Sequence, residues 1–142
     1  MFENAKLFGV VALAGLVCAC IEPGDQRADT AQRFNEIGND ETLNLIGTEP
    51  FWSIVVEGDQ LTFSTPSDID GEIISVSRFN GNNGLGLSGT IGADALEIAV
   101  TPGDCNDGMS DRHFPFTATI KMGEEVLTGC GYSDSNPVQG DE

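Results

Sequence analysis

Residues 104–113, Asp104-Cys105-Asn106-Asp107-Gly108-Met109-Ser110-Asp111-Arg112-His113, form the densest polar cluster of the chain, and three chemistries compete for it. Asp104, Asp107 and Asp111 are hard oxygen ligands suited to calcium. An EF-hand loop, however, places its oxygens at positions one, three and five with glycine at six, and this run does not comply. Ser110, His113 and Asp111 are the residue types of a nucleophile, base and orienting acid. Three residues so close in one loop do not ordinarily aim at one another, and no nucleophile elbow occurs. In the third reading the Asp and Ser side chains cap the loop's own turns while Arg112 neutralises a carboxylate. That reading asks least of the geometry. A hydrolase would need Asp107, Ser110, Asp111 and His113 in one pocket, with Arg112 as an anion anchor. Otherwise the domain is expected to be non-enzymatic and to need no cofactor. His113 is the lone histidine, so no second imidazole shares a metal with it.

Two other stretches carry polar groups at suggestive spacing. Gly47-Thr48-Glu49-Pro50-Phe51-Trp52 holds the only Trp at the start of an apolar run. The proline restricts Glu49 to an extended backbone, so its carboxylate points in a set direction and is available to Arg112. Trp52 suits either core packing or a ligand platform. Asp68-Ile69-Asp70-Gly71-Glu72 alternates carboxylates as a solvated turn does. The candidate binding set is therefore Glu49, Trp52, Asp107, Ser110, Asp111 and Arg112, with no metal ligand among them.

Four cysteines must be apportioned, and the amino terminus decides how. Residues 7–19, LFGVVALAGLVCA, are uncharged, follow Lys6 and end in small side chains before Cys20. A membrane span needs about twenty apolar residues, and Glu22, Asp25 and Arg27 interrupt this run too early. A signal peptide over residues 1–19 is expected. Val17 and Ala19 before Cys20 match a bacterial lipobox, which would make Cys20 the lipidated first residue of the mature protein. Several acyl chains hold a protein to a bilayer far better than one, at about 0.8 kcal/mol per buried methylene. An ordinary signal peptide cut nearby, or a retained buried helix, are the alternatives. Ile21 follows Cys20 in place of the Asp that retains enteric lipoproteins at the inner membrane, so the expected address is the outer membrane, facing the periplasm. With Cys18 discarded and Cys20 acylated, Cys105 and Cys130 remain to pair in an oxidising compartment. The bond would staple the loop at 102–113 to the last strand.

The chain holds 23 acidic against 6 basic residues, a net charge of −17. Removing residues 1–19 deletes only Glu3 and Lys6 and leaves that balance unchanged. Such a surface repels nucleic-acid phosphates and anionic lipid headgroups. Solubility or a saline habitat accounts for the acid surplus, which leaves cationic proteins and metal ions as possible partners.

These candidates sit in a β-rich domain. Residues 20–45 read as an acidic tether, with a short helix at 29–37 as an option, and residues 133–142 as a frayed tail. Between them, at 46–132, apolar and polar residues alternate. Strands are expected at 51–56, 61–65, 72–79, 85–90, 96–100, 114–120 and 126–132, with an eighth if 43–47 pairs. The expectation is an all-β fold, a small antiparallel barrel or sandwich of seven to eight strands with one disulfide.

The motifs GTEPFW at 47–52, CNDGMSDRHFPF at 105–116 and LTGC at 127–130 resemble those of a family of uncharacterised bacterial envelope proteins. Its members are often lipoproteins and are sometimes joined to META domains. Glu49, Trp52, Cys105, Gly108, Met109, Ser110, Asp111, Pro115 and Cys130 carry the resemblance, which covers about residues 46–132. It implies no particular activity. The readings that follow are an envelope lipoprotein binding a protein or small ligand, an inhibitor of a cationic lytic enzyme such as lysozyme, or a hydrolase using residues 104–113.

Overall fold

A computed structural model describes residues 32–140. The expected signal peptide, the lipidated Cys20 and the first part of the tether lie outside the described residues. The alternation seen in the sequence becomes nine strands: β1 (Thr42–Thr48), β2 (Phe51–Glu57), β3 (Gln60–Thr65), β4 (Asp68–Ser75), β5 (Ser77–Asn80), β6 (Leu85–Ile91), β7 (Asp94–Asn106), β8 (His113–Met122) and β9 (Glu125–Ser133). All pairings are antiparallel, and the order β4-β3-β2-β1-β9-β8-β7-β6-β5 describes a single sheet. No helix occurs among the described residues.

Each strand follows its predecessor, except that β1 and β9 pair with each other through Leu43–Ser133 and Ile46–Cys130. That pairing joins the two halves of the chain. The ends of the sheet order, β4 and β5, are successive in sequence and separated by Val76 alone. Val76 is buried and donates its N–H to the Asp59 carbonyl at 2.8 Å, outside either ladder. The expected strand at 72–79 is thus one bent strand: its first half pairs with β3 and its second with β6. Nine strands arise from the eight expected by this one break. The result is a nearly closed barrel and not a two-sheet sandwich.

Inward positions supply the core. Leu43 and Leu45 from β1, Ile54 and Val56 from β2, Ile98 and Val100 from β7 and Phe116 and Ile120 from β8 are all buried in one cluster. Each such side chain contributes about 1.5–3 kcal/mol relative to exposure. Trp52, 4 % exposed, belongs to the same cluster. Its neighbours must be glycine. A Cβ on Gly47, the residue opposite Trp52 across β1 and β2, would lie 2.0 Å from the indole nitrogen. One on Gly129 would lie 2.0 Å from the Ile46 carbonyl oxygen and 2.8 Å from Cζ2 of Trp52.

The tether and tail expectations need revising where the structure describes them. Phe34 and Ile37 are buried in the barrel core, so the domain begins at or before Phe34 and not at the expected boundary of 46. Phe34 sets its ring edge-to-face on Phe116, centroids 6.3 Å apart. Arg78 on β5 donates from Nη2 to the carbonyls of Ile37 and Gly38, at 3.4 and 3.2 Å. Residues 133–136 are tied down as well. The Glu41 carboxylate accepts from Ser135 N at 2.9 Å, from Ser135 Oγ at 2.7 Å and from Gly38 N. Asn136 Nδ2 donates to the Glu36 carbonyl at 2.8 Å, and Asp134 Oδ2 accepts from Thr42 N at 2.9 Å. Polar residues read as tether and tail are therefore partners of each other.

Burial by itself would raise the Glu41 pKa, but the hydrogen bonds from Ser135 and Gly38 outweigh it and bring the value from 4.5 to about 2. A carboxyl depressed on folding stabilises the fold above its unfolded pKa and loses that contribution as pH falls through the folded one. The Glu41 contribution should be complete at pH 7 and disappear between pH 4.5 and about 2. Glu41→Gln is expected to cost about 1 kcal/mol at pH 7, allowing for solvent screening, and to flatten the decline over that window. Urea unfolding followed at several pH values measures both effects.

Candidate functional site

The loop singled out in the sequence is shorter than its composition suggests. β7 continues to Asn106 after a register shift between Pro102 and Cys105, and β8 begins at His113, leaving residues 107–112 as the turn. Gly108 makes the reversal at φ +74°, a left-handed conformation that favours glycine. The side chains then close the turn on itself. Asp107 Oδ1 accepts from Met109 N at 2.9 Å and Ser110 N at 2.8 Å, while its Oδ2 accepts from Ser110 Oγ at 2.9 Å. Asn106 Oδ1 accepts from Gly108 N at 2.7 Å, and its Nδ2 donates to the carbonyls of Ser110 and Arg112 at 3.1 and 3.0 Å. Ser110 Oγ also accepts from Arg112 N at 3.3 Å.

These bonds hold Asp107 below the usual carboxylate range. The donors at Met109 and Ser110 are the main cause, and the charge of Arg112 adds to them. Asp107 is therefore an ionised turn cap at neutral pH. The Ser110 hydroxyl is committed to Asp107 and not to a base. His113 points its Nδ1 to Asp104 Oδ1 at 2.8 Å, on an exposed flank. Its backbone pairs with Gln139. The loop is a self-capped turn, and its geometry offers a hydrolytic relay no support. Among the described residues no three His, Cys, Asp or Glu side chains gather as a metal site.

Cys105 and Cys130 form the expected disulfide, with Cα atoms 5.5 Å apart and a sequence separation of 25. It ties the end of β7 to β9. A second tie comes from the other motif: Thr48 Oγ1 donates to the Asp107 carbonyl at 3.1 Å, across 59 residues of sequence. The GTEPFW and CNDGMSD stretches thus meet at the turn. Between them lies a cleft of about 360 Å³, lined by Ile46, Thr48, Cys105, Asp107, Thr117, Thr119, Thr128 and Cys130 and by the backbone of Gly47 and Gly129. Trp52 lies on the other side of those glycines, against the positions their Cβ atoms would take.

The structure divides the candidate residues. Asp107 lines the cleft and, with Ser110, organises the turn. Arg112 is half-buried beside them and acts on Asp107 through its charge. Asp111 is exposed on the turn, and Glu49 is exposed between β1 and β2, where the Glu49–Pro50 peptide bond is cis. Trp52 is a core residue, because its indole fills the space two glycines leave. The cleft threonines were not singled out by sequence reading. Their signal was outward position on neighbouring strands: Thr119 faces Thr128 and Thr117 faces Cys130 across β8 and β9.

Comparison with known protein families, with curated proteins and with solved structures finds no match to this chain.

Closing a loop of 25 residues stabilises a domain by roughly 3 kcal/mol in the chain-entropy model. Replacing both Cys105 and Cys130 by Ser should lower unfolding stability by about that amount. Amide exchange should accelerate first at residues 104–113, with β1 and β2 less affected; hydrogen exchange read by mass spectrometry checks the order.

Proposed function

We propose that this protein is a bacterial envelope lipoprotein whose barrel is a non-enzymatic binding module. It engages a protein or small ligand through the 107–112 turn and the adjoining cleft. The observation that carries this reading is the internal bonding of the turn. Its polar groups are satisfied internally, a disulfide anchors its base, and it presents Met109 with 69 % of its surface exposed. A pre-ordered loop loses little entropy on binding, and an exposed methionine adapts to an apolar partner surface. Asp111 and Arg112 flank that tip as polar contacts. The lipobox at residues 17–20 and the family resemblance support attachment at Cys20, and Ile21 after it supports an outer-membrane address.

A photo-crosslinking residue at position 109, placed in the full chain in intact cells, should yield a discrete adduct. The same residue at the exposed position 126, on β9, should not. Equal labelling from both positions would remove the turn from the proposal.

The acid surplus favours a second, narrower reading, in which the partner is a cationic lytic enzyme such as lysozyme. Charge complementarity of this kind accelerates association and weakens with salt. Purified protein should then inhibit lysozyme at low ionic strength, with potency falling steeply toward 0.5 M salt. Absence of inhibition at low salt would end this reading.

A further inference from the structure

We propose that the free edge of β4 is a docking site for an extended, cationic segment of another protein, which joins the sheet as an additional strand. This surface is separate from the turn and cleft above, and its apolar pocket shares no lining residue with that cleft. The sheet order ends at β4, and among the described residues no strand pairs with its outer edge; Gly89 on β6 lies against Ile74 and Ser75, so the open stretch is residues 68–73. Such an edge presents backbone donors and acceptors to any strand of suitable chemistry. One donor is already used, since Gly71 N bonds to Asp68 Oδ1 at 3.2 Å.

Edge strands are commonly protected by charged side chains, lysine above all, or by proline. β4 reads Asp-Ile-Asp-Gly-Glu-Ile-Ile-Ser, with no lysine or proline and with three carboxylates, a protection that acts against acidic strands but not against cationic ones. Ile69 and Ile73 are 83 % and 69 % exposed. Beside them lies a pocket of about 330 Å³ lined by Phe51, Trp52, Pro66 and Ile69 among others, which offers an anchor for one apolar side chain. Phe51 is also exposed.

Charge selects the occupant. Asp68, Asp70 and Glu72 are exposed along β4 with no cation in the strand. A second copy of this chain would bring the same carboxylates to the edge and a like net charge of −17. Like charges placed across a strand pair are destabilising, whereas opposite charges there are favourable. The fitting partner is therefore a segment alternating Lys or Arg with apolar residues. Its backbone would pair with β4, its cations would face the carboxylates, and an apolar side chain would enter the pocket.

The test uses the full chain in nanodiscs of zwitterionic phospholipid, so that a basic probe finds no anionic lipid. The probe is a labelled, end-capped octapeptide alternating Lys and Val. Anisotropy should show saturable binding, accompanied by a change in the emission of Trp52, the only Trp and a pocket residue. Affinity should fall at least tenfold in the Ile69→Lys/Ile73→Lys variant and at least tenfold for a Glu/Val peptide. It should also fall at least tenfold when the Lys/Val peptide is N-methylated at alternate amides, because strand addition needs those donors. Both isoleucines are exposed, and far-UV circular dichroism verifies that the variant is folded. Equal binding by the variant, by the acidic peptide or by the N-methylated peptide would overturn the proposal. So would self-association of the chain that Ile73→Lys abolishes, since the edge would then belong to a second copy.

Discussion

The Trp52 indole lies where side chains on Gly47 and Gly129 would have to be, and much of the architecture depends on that exclusion. Gly47 is directly opposite Trp52 on β1, and Gly129 lies on β9, the next strand. With no Cβ at either position, the largest side chain of the core fits beneath the seam where β1 meets β9. Among the described residues that seam is the only ladder joining the amino-terminal and carboxy-terminal halves of the sheet. Above the same glycines, the exposed backbone forms part of the cleft. One packing constraint thus bears both on the β1–β9 seam and on the surface beside the 107–112 turn.

Around that seam the turn at 107–112 is held by three kinds of bond. The disulfide is covalent, the Thr48 bond reaches from a distant strand connection, and the Asp107 and Asn106 bonds are local. Local bonds decide the shape of the turn and long-range ones decide where it sits. Because Asp107 and Ser110 are spent on one another, the residues that resemble catalytic machinery perform conformational work. At the tip of the turn Met109 and Asp111 are exposed. At the other boundary, Phe34 and Ile37 extend the core, and Glu41 joins the segment that carries them to residues 133–136. The polar segments at 36–42 and 133–136 therefore stabilise each other.

The strands were legible because alternation has a period of two and needs only a few residues to declare itself. Leu96, Ile98 and Val100, and Phe114, Phe116, Ala118 and Ile120, are buried as their spacing requires. The break at Val76 was not legible: Ile74-Ser75-Val76-Ser77 alternates straight across it, and only closure of the barrel forces one strand to serve two neighbours. Phe34 and Ile37 also escaped detection as core residues. Two apolar residues in a polar run have no meaningful period, and their burial depends on a barrel built by residues far downstream. The cleft threonines belong to separate strands, so nothing within any one strand marks them as neighbours.

Taken by itself, the sequence determined the all-β character, the positions of most strands, the pairing of Cys105 with Cys130 and the self-capping of the turn. Each of these rests on periodicity, on the number of available thiols or on side chains within a few residues of the backbone they bond. Tertiary structure alone decided barrel over sandwich, core over ligand platform for Trp52, the meeting of Thr48 with Asp107 and the unpaired edge of β4. Those outcomes depend on which strands become neighbours across 59 residues or more. That choice is made by closure and by the volume the interior must fill, and neither quantity is carried by any short stretch of chain.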